Sequence, residues 1–122
     1  MKPILTDADR RLERVYRRLG TRTPACTCCS ESYPHALERH HIAGRAFHDD
    51  EAIVCRNCHR KLSDPQIDRE NLDCMDPWLE RIGRYLCGLG ELLALVSTTL
   101  IAFGKELLGL ADDAVSANEV VS

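Results

Sequence analysis

The sequence predicts a small α+β domain stabilised by a bound metal, with a basic helix before it and a long heptad-patterned helix after it. Three observations carry this expectation. Two Cys-x2-Cys pairs, Cys26/Cys29 and Cys55/Cys58, stand in a stretch too poor in large apolar residues to build a conventional core. An arginine-rich segment precedes them. After them, apolar residues recur at alternating spacings of three and four through most of the C-terminal third.

With 122 residues the chain has room for one small domain plus an extension. The formal net charge is −3, unevenly spread: residues 1–62 carry 12 Lys/Arg and 8 Asp/Glu, residues 63–122 carry 4 and 11. A polyanion partner is therefore expected on the first half. No basic n-region followed by an apolar stretch opens the sequence, so no secretory leader and a cytoplasmic location are expected. Seven cysteines form an odd set for a disulfide framework, and in such a chain the paired spacing favours metal.

Residues 1–23 are expected to form a basic amphipathic helix over 7–19. Thr6 caps it, Asp7 and Asp9 complement the dipole in the first turn, and Gly20 ends it. Leu12, Val15, Tyr16 and Leu19 share one face; Arg10, Arg11, Arg14, Arg17 and Arg18 cover the rest. Residues 24–64 form the metal domain, with short extended pieces over 36–43 and 52–54 and a helix that starts within the second cysteine pair and fades before Pro65. Residues 65–76 read as a linker.

Asp76-Pro77 signals the start of the long helix, Asp as cap and Pro at the first helical position. Its seam is Leu79, Ile82, Leu86, Leu89, Leu93, Val96, Leu100, Phe103, Leu107 and Leu110, and predicts association over residues 77–113, as a homodimer or with a partner helix. A row of small residues (Gly83, Gly90, Ser97, Gly104, Ala111) would let that partner approach closely. A membrane anchor is the competing reading, but Glu91 and Lys105 bracket 13 uncharged residues, short of the roughly 18–20 a span needs. Residues 114–122 are left as a tail.

Each Cys-x2-Cys turn sets two thiolates on one side of a tight loop, and two turns complete a closed tetrahedral site suited to structural Zn2+. Cys28 rivals Cys26 or Cys29 as a ligand; Cys74 and Cys87 read as packing residues. Between the pairs stand His40-His41-Ile42, and the second pair runs on into His59, Arg60 and Lys61. This order, Cys-x2-Cys, His-His-Ile, Cys-x2-Cys-His-x-Lys, resembles the HNH endonuclease family over about 40 residues.

The resemblance implies a ββα-metal finger and a metal-dependent endonuclease that hydrolyses phosphodiester bonds in DNA. It implies His41 as general base, and His40 and His59 as ligands of a second, catalytic divalent ion such as Mg2+, Mn2+ or Ni2+. Where the family has its middle asparagine, five residues before the second pair, this chain has Asp50, expected to orient His41, with Asp49 or His48 as substitutes. Adjacent residues on a strand point oppositely, so one histidine would face the metal and the other the water. Arg39, Arg45, Arg60 and Lys61 flank the centre and are expected to contact backbone phosphates. The alternative is an inactive zinc finger that binds nucleic acid or acts as an adaptor through its C-terminal helix.

Overall fold

Helix α1 (Asp7–Leu19) begins and ends where the sequence predicts. The Thr6 hydroxyl accepts from the Asp9 amide at 3.0 Å, and the Asp9 carboxylate accepts from the Thr6 amide at 2.9 Å, a reciprocal capping box. Gly20, at φ 75°, closes the helix with its amide on the Tyr16 carbonyl. The computed structural model describes residues 4–70 and 72–121, with side chains described as far as residue 114.

After a single 3-10 turn at Pro34–Ala36, strand β1 (Leu37–His41) pairs antiparallel with β2 (Glu51–Cys55). The register runs from Leu37↔Cys55 to His41↔Glu51. Helix α2 (Arg56–Arg69) follows β2 without a spacer, and Cys55 is its N-cap, its sulfur accepting from the Cys58 amide at 3.5 Å. One small core sits between these elements. Leu37, Val54 and Leu62 are fully buried, joined by Leu19 of α1 and by Leu92 of α3 (Pro77–Val121).

Helix α2 does not fade before Pro65; it passes through that residue to Arg69, so the linker shortens to residues 70–76. Proline removes one backbone hydrogen bond there, but tertiary contacts hold the last turn. The Gln66 amide nitrogen donates to the carbonyls of His41 (3.1 Å) and Ile42 (2.9 Å), and Arg69 forms a two-pronged pair with Glu91 of α3.

Asp76 caps α3 as expected, its carboxylate accepting from the amides of Trp78 (2.9 Å) and Leu79 (3.1 Å). The helix crosses Ser97–Thr99 unbroken, the Thr98 and Thr99 hydroxyls bonding to carbonyls one turn earlier, and continues to Val121 rather than ending at residue 113. It docks on the finger through Tyr85, Leu89, Leu92, Leu95 and Val96, while Leu79, Leu86, Leu93, Leu100 and Leu107 are exposed. By length and composition α3 is apolar enough to cross a membrane, with mean hydropathy 1.9 in one 18-residue window.

The predicted row of small residues plays no part in this docking. Gly83, Gly90 and Gly104 face open space, whereas a Cβ at Gly88 would overlap the Ile42 carbonyl oxygen and stand 2.8 Å from its carbon. Only glycine allows this helix to sit so close to the hairpin. Cys74 and Cys87 are not packing residues either: both are exposed, on a surface groove shared with Leu72, Met75 and Leu79.

Candidate metal centre and histidine cluster

The first cysteine turn is built by backbone. Ser30 donates to the Cys26 carbonyl at 2.9 Å, with Ser30 itself at φ 68°, and Thr27 donates to the Ile53 carbonyl at 2.8 Å, tying the turn to β2. The second turn is the junction of β2 and α2. The sulfurs of Cys26, Cys29, Cys55 and Cys58 thereby lie within 4.8 Å of one another, with Cys29 and Cys55 at 3.6 Å. Tetrahedral thiolates at a Zn–S distance of about 2.3 Å stand about 3.8 Å apart, so closing this set on a zinc ion takes side-chain shifts of no more than about 1 Å. Cys26, Cys55 and Cys58 are buried and Cys29 is exposed. Cys28, the rival ligand, is buried in the core outside this group.

The four thiols do not ionise alike. Burial, then the neighbouring thiols, pushes the Cys58 thiol up. At Cys26 burial is more than offset by the amides of Cys55, Cys29 and Cys28, which bring the thiol down to about 7. Four thiolates this close repel one another unless a metal neutralises them. Four cysteines so placed could hold a structural metal ion such as zinc.

The hairpin separates the two adjacent histidines as strand geometry requires. His40 faces α2: it is 2% exposed, its ring meets that of His59 edge-on at 5.2 Å between centroids, and the Gln66 amide nitrogen lies 3.4 Å from its Nε2. Burial, then the nearby charges of His59 and His41, pushes the His40 imidazole down to about 4, so it is neutral at physiological pH. His59, in the first turn of α2, sets its Nδ1 2.5 Å from the Glu38 carboxylate. Glu38 has no place in the expectations from sequence, although it stands two residues before His40 and so on the same strand face. Among the described residues, the four cysteines are the one group of three or more ligand side chains drawn together this tightly; His40, His59 and Glu38 are neighbours without closing a cage.

His41 lies on the other face, its Nε2 3.2 Å from the Glu51 carboxylate. The expectation that Asp50 orients His41 does not match this geometry. The Asp50 carboxylate accepts from the Tyr85 hydroxyl at 2.8 Å, and only its backbone serves the hairpin, the Asp50 carbonyl accepting from Ile42 at 3.0 Å. His48 accepts from the Asp50 amide at 3.0 Å, so it too is engaged elsewhere. The register explains the outcome: Glu51 is the residue directly opposite His41, whereas Asp50 lies just before β2 and its carboxylate reaches Tyr85 of α3.

The four basic residues singled out by sequence are all exposed. Arg39 pairs with Glu51 at 3.1 Å, Arg45 lies on the β1–β2 loop, and Arg60 and Lys61 lie on α2. Arg18 of α1 is committed to the fold, donating to the Leu37 carbonyl at 3.1 Å. Comparison with protein-family models, curated proteins and solved structures gives no match.

Proposed function

We propose that this finger is a metal-dependent nuclease of the HNH kind, hydrolysing phosphodiester bonds in DNA. The observation that supports it best is the hairpin: it presents His41 at the last position of β1 with a carboxylate partner, and sets a neutral His40 beside His59. In this reading His41 takes a proton from the attacking water and Glu51 holds its ring. His40 and His59, with Glu38 behind His59, would hold a second divalent ion that supplies charge neutralisation at the phosphate. Arg45, Arg60 and Lys61 bind backbone phosphates, which makes affinity salt-sensitive and largely independent of sequence.

The exposed leucines of α3 support association with a second copy of the chain. A bilayer span is disfavoured because Leu92 is buried against the finger and Glu91 is tied to Arg69. The decisive experiment incubates zinc-loaded protein with supercoiled plasmid and Mg2+, Mn2+ or Ni2+, beside His41→Ala. Nicking by the first and not the second is expected. Equal nicking removes His41 from the chemistry, and DNA binding without any cleavage favours the adaptor reading.

A further inference from the structure

The β1–β2 loop and the first turns of α3 enclose an open cavity of about 420 Å3, within the range of small-ligand pockets. Trp78, Arg81 and Tyr85 recur on one face of α3 at helical spacing with Ile82 and Leu86 beside them, and Phe47, His48 and Asp50 meet them from the loop. Half of the chain's Phe, Tyr and Trp residues therefore line one site, including its single tryptophan. The walls are fixed. The Tyr85 hydroxyl donates to Asp50 at 2.8 Å, the His48 ring stands edge-on to Tyr85 at 4.9 Å, and the Arg84 guanidinium lies 4.3 Å over the Phe47 ring. The Trp78 indole is 70% exposed.

We infer that this cavity receives an unpaired nucleobase, an inference that rests on the nucleic-acid reading above and narrows its substrate to strands carrying unstacked bases. The exposed Trp78 indole supplies stacking, which every base satisfies. The other Asp50 carboxylate oxygen stands 3.6 Å from His48 Nδ1, beyond a hydrogen bond, and is able to accept from a base amino or ring N–H. Arg81 offers a cation to the attached phosphate. Ile82 and Leu86 of the α3 seam also line these walls, but a leucine from a second copy seated here would strip water from Asp50 and Arg81 without bonding to either, so the association proposed above is carried by Leu93, Leu100 and Leu107, outside the cavity. A paired base inside a duplex keeps its faces stacked and cannot enter. Asp50 directly precedes Glu51, the partner of His41, so a base lodged here lays its strand along the end of the hairpin that carries His41.

The test uses full-length, zinc-loaded His41→Ala protein, and Trp78 emission reports from inside the cavity. End-labelled single-stranded DNA and a blunt duplex of equal length are titrated, with label anisotropy followed in parallel. Single strands are expected to quench Trp78 saturably and in step with anisotropy, and the duplex to leave emission nearly unchanged. Trp78→Ala, at an exposed position, is expected to weaken single-strand binding by roughly tenfold or more in anisotropy, the loss typical of one stacked base. Unchanged emission while anisotropy saturates overturns the inference, as does absence of binding. A blue shift that grows with protein concentration alone overturns it too, because a second copy then fills the cavity. Plasmid nicking by the wild-type protein while Trp78 stays silent sinks this inference and spares the nuclease; quenching of Trp78 with no nicking by the wild-type protein does the reverse.

Discussion

Replacing Gly88 with alanine tests whether α3 is truly seated on the hairpin. The new Cβ would overlap the Ile42 carbonyl oxygen and stand 2.8 Å from its carbon. Relaxed carbon contacts lie at about 3.5–4.0 Å, so helix and strand must part by roughly 1 Å or more. Neither partner is a flexible side-chain tip that can swing aside. Parting them loosens Leu92 and strains the Arg69–Glu91 pair. Overpacking of this kind costs about 1–3 kcal/mol, set against a helix-propensity gain of up to about 1 kcal/mol. Gly90→Ala is the internal control, since nothing lies within 4 Å of a Cβ there and only the propensity gain remains. That gain is common to both variants and cancels, so urea unfolding of the zinc-loaded proteins should place them about 1–3 kcal/mol apart, with Gly88→Ala the less stable. If Gly88→Ala matches or exceeds Gly90→Ala, the close seating of α3 is wrong.

Four further outcomes are expected. Chelation, or Cys58→Ser, should unfold the finger cooperatively, since structural zinc contributes on the order of 10 kcal/mol in small domains; metal content and circular dichroism check this. The folded value of His40, about 4, lies below the ordinary 6.5, so the unfolded chain takes up the proton first. That contribution is intact above about pH 6.5 and declines as pH falls toward 4, by about 2 kcal/mol at pH 5, a decline that His40→Gln should lack in urea titrations at pH 7 and 5. Glu51→Gln should slow plasmid nicking by roughly 10- to 100-fold, as loss of a ring-orienting carboxylate does, with zinc content unchanged. Leu93→Glu with Leu100→Glu should abolish self-association in sedimentation velocity, while a wild-type protein that sediments as a monomer removes the association reading.

The elements most legible in the sequence are those whose signals are local. Thr6, Asp9 and Gly20 bound α1, Asp76 starts α3, and the spacing of Cys26, Cys29, Cys55 and Cys58 announces a cluster that the chain does bring together. What escaped depends on partners distant in sequence. Pro65 looked like a stop because the contacts that override it, Gln66 on the His41 and Ile42 carbonyls and Arg69 on Glu91, arise only in the folded chain. Residue 50 was matched to His41 by its offset from the cysteines, whereas register, not offset, chooses the neighbour, and register selects Glu51. Periodicity likewise marked Gly83, Gly90 and Gly104 as a contact row. The glycine that matters, Gly88, breaks that period because it answers to one carbonyl of the hairpin rather than to another helix.

The long helix also has a mechanical meaning. Its grip on the finger ends near Val96, and from there to Val121 it runs on for roughly 35–40 Å at 1.5 Å per residue. That projecting arm is a rigid lever whose fulcrum is the short patch around Gly88, Leu92 and the Arg69–Glu91 pair. A load applied at the far end arrives at that patch as torque, multiplied by the length of the arm. That patch adjoins the hairpin directly, since Gly88 meets the Ile42 carbonyl one residue beyond His41.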